Sequence, residues 1–300
     1  MIAIRLALYL TLCAAAGVPA ALLLLTPGTG EELPGRARAA FRFAPAVAML
    51  ASLVSLPVLA AGMAGTPAWP IDTDAVRTVL SETAVGTAWI VRTAALAIAI
   101  VAAAMSGRHA ATVSGAGATL ALATLAWSGH GIAGEGVAGW VHLAADIAHL
   151  LASGLWVGAL LALAAMLSPP AAGMDGGRLR SAHQALSGFA SIGTATVGVL
   201  ALTGIVNGWF LVGPGQVGTL GASLWGRLLL GKLALFAAML ALAALNRWLY
   251  GPALRRSIDG RDPAGALILL RRSLLAETGC AIAVLALVAW LGTLEPPNMA

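Results

Sequence analysis

The chain has 300 residues, 60% of them hydrophobic and only 10% charged, with a net charge of +5 and a mean hydropathy of +0.91. An ordinary soluble domain carries about 25% charged residues, so water is not the main solvent and a soluble enzyme is excluded. The arginines stand in short clusters between apolar runs, without a basic face or interleaved aromatics, which excludes a nucleic-acid surface.

In chain order the apolar runs are Ile4–Leu25, Phe43–Met63, Val85–Met105, Ala111–Trp127, Trp140–Leu167, Phe189–Val212, Leu224–Trp248 and Ser273–Leu294. Each is near the roughly 20 residues that cross a hydrocarbon core. They predict an all-α fold: a polytopic membrane bundle of about eight transmembrane helices, one integral domain over residues 1–300. Pro27, Pro34, Pro70, Pro169, Pro170, Pro214, Pro252 and Pro263 lie between runs, whereas Pro19, Pro45 and Pro57 kink or begin helices. The first run also reads as a cleavable signal peptide, with Arg5, an apolar core and a small-residue site ending at Ala20. Against that, Val85-Gly86 through Arg92 resembles Trp225-Gly226 through Lys232 at a spacing of 140 residues. The same shift lays the first run on the fifth, and so predicts two four-helix halves in parallel repeat, 1–135 and 136–300.

Arginine asymmetry sets the expected orientation. Arg36, Arg38, Arg42, Arg108, Arg178, Arg180, Arg247, Arg255, Arg256, Arg261, Arg271 and Arg272 fall in alternate loops, which should face the cytoplasm. The opposite loops carry Asp72, Asp74, Glu82 and Glu135 against Arg77, which places both termini on the outer side; Arg5 dissents. Cys13 and Cys280 each sit in an apolar run, without a disulfide framework or a CxxC motif.

The fifth run carries the informative constellation. His142, Asp146, His149, Ser153 and Trp156 follow steps of 4, 3, 4 and 3, which on a helix fall within an arc of roughly 80°. His130 precedes them in Ser128-Gly129-His130-Gly131, where the glycines let the backbone bend toward the same mouth. Imidazole and carboxylate suit Cu(II) or Zn, and a thioether such as Met63, at the outer end of the second run, would extend the site to Cu(I). A second reading needs no metal: Asp146 pairs with Arg92 or Lys232, each about seven residues inside its own helix from the outer side, as structural glue. The two are compatible, since an ion pair can orient a ligand.

Further polar residues inside the spans are Thr196, Thr203 and Asn207 on one face of the sixth, Lys232, Met239 and Asn246 on one face of the seventh, and Glu277 near the cytoplasmic side of the eighth. Intramembrane ionisable groups are functional candidates. Gly154/Gly158 and Gly204/Gly208 have the GxxxG spacing of close helix contacts. Gly226–Lys232 matches the start of a phosphate-binding loop, but Leu233 stands where the Mg-binding hydroxyl belongs and the segment lies inside a span, so no nucleotide partner is expected.

These motifs together resemble the bacterial copper resistance protein D (CopD) family of inner-membrane proteins. The likeness is carried by Ser128-Gly129-His130, by His142 through Leu151 leading to Leu155-Trp156-Val157-Gly158, and by Leu202 through Asn207. It continues in Gly226 through Leu233, Ala244 through Trp248, Glu277 and Leu291 through Pro297. The chain departs from the family pattern at Trp225, where a Tyr often stands, and before Phe189, where Arg-Phe-Ser is missing. The resemblance implies an eight-helix protein of copper homeostasis that moves copper across the inner membrane, often with a small periplasmic carrier of the CopC type. His130, His142, Asp146 and His149 become the expected metal-handling residues, with Arg92, Trp156, Asn207, Lys232, Asn246 and Glu277 as supporting polar groups. Two other classes stay open: a haem-binding electron-transfer protein, and a non-transporting copper sensor or dock for the carrier.

Overall fold

The computed structural model describes residues 1–25, 35–105, 108–128, 136–168, 176–259 and 264–297. The described residues contain no strand, and their helices are α1 (Ile2–Leu25), α2 (Gly35–Ala64), α3 (Thr73–Glu82), α4 (Ala84–Ala104), α5 (Arg108–Ala123), α6 (Gly136–Met166), α7 (Gly176–Leu211), α8 (Leu224–Leu245), α9 (Gly251–Asp259) and α10 (Ala264–Leu291). Among the described residues eight helical stretches are long and apolar enough to cross a membrane: α1, α2, α4, α6, α7 and α10, α5 with the 3-10 turn that carries it to Trp127, and α8 continued through α9 to Arg256. The protein is therefore a multi-span helical bundle with both termini at one end and the arginine-rich loops at the other.

The spanning helices exceed the apolar runs at the arginine-rich end, because their polar turns continue past the hydrocarbon. α10 begins at Ala264 rather than Ser273, and α7 at Gly176 rather than Phe189. Arginines there do more than mark topology. Arg42 Nε and Nη2 donate to the Ala103 carbonyl at 3.0 and 2.7 Å, and Arg271 Nε donates to the Leu167 carbonyl at 2.6 Å. Both acceptors are orphan carbonyls at the C-terminal ends of α4 and α6, where a cation also suits the helix dipole.

Two helical elements at the opposite end lie in stretches read from sequence as loops. α3 starts where Asp72 accepts from the amides of Asp74 and Ala75 at 3.1 and 2.9 Å, a side-chain N-cap. A 3-10 segment spans Pro214–Ala222. Each leads into a span built the same way: Thr83 Oγ1 accepts from Gly86 N at 3.0 Å to cap α4, and Ser223 Oγ accepts from Gly226 N at 3.0 Å to cap α8. A Cβ on Gly86 would strike the Val79 carbonyl, and one on Gly226 the Leu220 carbonyl. Glycine is required at both places because the preceding element folds back onto the first turn of the span.

The core lies where α1 meets α6. α1 packs on α2, α5, α6, α7 and α10, and its Gly17 meets the backbone of Gly154 and Gly158 so closely that a Cβ on Gly17 or Gly158 would collide with backbone atoms. The first GxxxG pair therefore marks a helix contact, as its spacing predicts. The second does not: a Cβ on Gly208 would meet open space, and one on Gly204 only the edge of the His149 ring at 4.0 Å. Around this seam the packing is uneven. α2 packs directly on α4, whereas α7 and α8 scarcely touch, and a crevice of about 210 Å³ separates them.

Candidate functional site

The face of α6 singled out from sequence turns onto α7, and the two antiparallel helices meet as a ladder of polar and aromatic rungs. His142 stacks on Phe210, ring centroids 4.7 Å apart and planes 11° from parallel. One turn on, Asn207 Nδ2 donates to Asp146 Oδ1 at 3.3 Å. At the next rung His149 Nδ1 lies 2.9 Å from Thr203 Oγ1. Steps of 4 and 3 along α6 are answered by 3 and 4 backwards along α7, which is how two antiparallel helices keep matched positions level.

The last rung sets the chemistry of the imidazole. Thr203 has one hydroxyl hydrogen, and Oγ1 lies 2.6 Å from the Val199 carbonyl, which takes it. Toward His149 the hydroxyl oxygen can then only accept, so Nδ1 carries a ring proton, and in the neutral ring Nε2 keeps its lone pair. That is the form of histidine that binds a metal ion, held by its other nitrogen. His142 is buried at 3% exposure.

Of the two cations expected beside Asp146, Lys232 is the one that acts on it electrostatically, without a direct hydrogen bond among the described residues. Lys232 and Tyr9 both lie close enough to interact electrostatically with Asp146, but among the described residues its hydrogen-bond partner is Asn207. Arg92 belongs to another helix pair: its Nε donates to Thr124 Oγ1 at 2.9 Å, tying α4 to the short 3-10 turn Thr124–Ser128 after α5. Arg92 and Lys232 close the two similar segments noted in the sequence, and of the two Lys232 acts electrostatically on Asp146.

His142, Asp146 and His149 do not form a three-donor cluster among the described residues. The reason is the helix itself: a rise of 1.5 Å per residue spreads positions 142 to 149 over about 10 Å. His130 lies outside the described residues. Met63 is 58% exposed at the end of α2, which packs on α1, α3 and α4 and not appreciably on α6.

Trp156, on the same α6 face, takes part in a second buried group. Its Nε1–H donates to Glu277 Oε1 at 3.1 Å, and Asn246 Nδ2 donates to Glu277 Oε2 at 3.0 Å. Glu277 is fully buried, and Asn246 opens a π-turn, Asn246–Tyr250, that joins α8 to α9. Sequence reading named these three residues separately, because they come from three spans and no spacing connects them. Thr203 was read only as part of a polar stripe and Phe210 was missed. The signal for both lay in the reversed steps from Thr203 to Phe210, legible only once α7 is set against α6.

Comparison with known proteins shows two family models on the chain: copper resistance protein D-like, N-terminal domain, over residues 1–140, and copper resistance protein D over residues 183–291. The α6 ladder residues lie between the two matches, and their α7 partners within the second. Copper resistance protein D of Pseudomonas syringae pv. tomato is 40% identical over 308 residues, covering 98% of this chain and 96% of its own. Inner membrane protein YebZ of Escherichia coli K12 is 28% identical over 254 residues, covering 84% of this chain and 82% of its own. Copper transport protein CutJ of Bacillus subtilis is 28% identical over 279 residues, covering 90% of this chain and 48% of its own. No solved structure matches the chain.

Proposed function

The chain belongs to the copper resistance protein D family, and from that premise we propose that it carries copper across the inner membrane through the α6–α7 ladder. One observation bears most of the weight: α7 holds His149 by Nδ1 and so leaves Nε2 free for a metal ion, on a helix face that also carries His142 and Asp146. Donors spaced a turn apart form a path with one or two protein ligands at each level. Such a path suits a cargo ion that must leave as readily as it enters, while a closed chelate suits a resident one. His130, which precedes α6 in the sequence, is the further imidazole that the family resemblance adds to this set, whereas Met63 stands exposed at the end of α2, away from the ladder. Asp146, with Asn207 holding one oxygen, lowers the cost of the incoming positive charge.

Orientation follows the arginines: the arginine-rich end faces the cytoplasm and both termini face the periplasm. The ladder then opens outward, toward a periplasmic carrier of the CopC type. Inward movement of a cation gains about 2.3 kcal/mol per charge per 100 mV of membrane potential, so import is the favoured direction. The names of the relatives, copper resistance protein D and copper transport protein, agree with transport.

The test is copper uptake by the purified protein in liposomes under an inside-negative potential. Uptake should exceed that of empty liposomes and fall to that level in the His142→Ala/His149→Ala double variant. Uptake equal in both proteins removes the ladder from the path. Copper bound without flux establishes a sensor or dock, and a Soret band in the purified protein establishes haem binding in place of this reading.

A further inference from the structure

The crevice between α7 and α8 ends on the second buried group. Its walls are apolar, from Leu186 and Phe189 on α7 to Leu240 and Ala243 on α8, and its back is Trp156, Asn246 and Glu277. Arg247 and Trp248, both exposed, stand at its mouth near the arginine-rich end. Glu277 lies six residues, or about 9 Å, farther along α10 than Arg271.

The carboxyl group has donors on both oxygens and, among the described residues, no cation beside it. α6 offers Trp156 and the α8 end offers Asn246; α7 offers no ionisable lining residue. Arg247 directs Nη1 to the Ala190 carbonyl at 3.0 Å and to Thr194 Oγ1 at 2.8 Å, and Arg271 on α10 directs Nε to the Leu167 carbonyl. No charged side chain among the described residues acts electrostatically on Glu277. A fully buried carboxylate with two neutral donors is expensive in a membrane.

Asn246 is the second observation. It is 4% exposed, and its Oδ1 has no hydrogen-bond partner. With Nδ2 toward Glu277 the amide serves a carboxylate, at the cost of a stranded carbonyl oxygen. Turned end for end, it would present Oδ1 as acceptor to a carboxylic acid O–H. The side chain has a use in each protonation state of its partner, and neither orientation satisfies all of its atoms.

We propose that Glu277 is a proton-binding site, loaded and unloaded from the arginine-rich end through the α7–α8 crevice, with Asn246 as the group that accepts the bound proton. A proton entering from the aqueous phase forms the O–H bond at Glu277 Oε2; the Asn246 amide turns and Oδ1 accepts from it. Release reverses both steps and returns the proton to the same water. Oxygen donors of this kind suit a proton or a hard cation and not Cu(I), so the group is distinct in chemistry from the imidazole ladder. It does not depend on the copper reading, and its test contains no copper.

The full chain is reconstituted in lipid bilayers and its infrared spectrum followed as the buffer is stepped from about pH 8 to about pH 5. A protonated-carboxyl band should grow on acidification, vanish in Glu277→Gln and change frequency in Asn246→Ala, where the acid loses its acceptor. If Glu277→Gln does not elute as a single species, Glu277→Asp serves instead and should displace the band. The band should also shift on transfer to heavy water, more slowly in Gly193→Leu, which fills the crevice. A band unaffected by substitution at Glu277, or one of constant height across the pH range, overturns the proton site. An exchange rate unchanged in Gly193→Leu overturns the route.

Discussion

A histidine in a spanning helix is useful to a metal only if its tautomer is held, and here a threonine holds it. Thr203 spends its hydrogen on Val199 and offers His149 a lone pair, so the hydroxyl is the element that matters and the methyl is not. Thr203→Val keeps the shape and removes the acceptor. We expect the copper concentration for half-maximal liposome uptake to rise about 10–100-fold in that variant, the usual loss when a ligand's outer partner is removed, with Thr203→Ser near the parent. Equal values for all three proteins would separate Thr203 from copper handling. The imidazoles and carboxylate of α6 were legible in the sequence from their helical spacing. Their holders were not, because a threonine in a span back-bonds to its own helix whether or not a neighbour uses its other lone pair.

Elements here are joined by small residues and closed by arginines. At the α1–α6 seam a side chain at Gly158 has no flexible neighbour to push aside, since the Gly17 backbone stands in its way. Gly158→Ala should cost at least about 1–3 kcal/mol as the helices separate, read as a lower unfolding temperature in detergent. Gly208→Ala faces open space and should leave that temperature unchanged or raise it, since alanine favours a helix by about 0.5–1 kcal/mol. Equal losses would mean that both GxxxG pairs serve as contacts in the folded protein. The caps of α4 and α8 match, Thr83 and Ser223 each accepting from the glycine amide three residues on. The cations that follow them differ in use, as Arg92 bonds to Thr124 while Lys232 acts electrostatically on Asp146.

For the whole molecule, the decisive asymmetry is between its two ends. If the arginine-rich end faces the cytoplasm, Thr66→Cys at the opposite end should react with a membrane-impermeant thiol reagent in intact cells, and Arg256→Cys only after lysis, both in a Cys13→Ala/Cys280→Ala background. The reverse pattern would invert the protein and turn the proposed import into export. The sequence alone determined the number of spans, their order, the end that gathers arginine and the α6 face that gathers donors. Hydrocarbon length and helical periodicity act on each segment separately and so are written locally. Only the tertiary structure decided which helix answers that face, that the donors lie a turn apart without gathering at one point, that Arg92 leaves Asp146 to Asn207, and that Trp156, Asn246 and Glu277 meet behind a gap between α7 and α8. Inside a bilayer apolar helices offer one another little hydrophobic preference, so neighbours are chosen by close packing of small residues and by buried hydrogen bonds between distant parts of the chain.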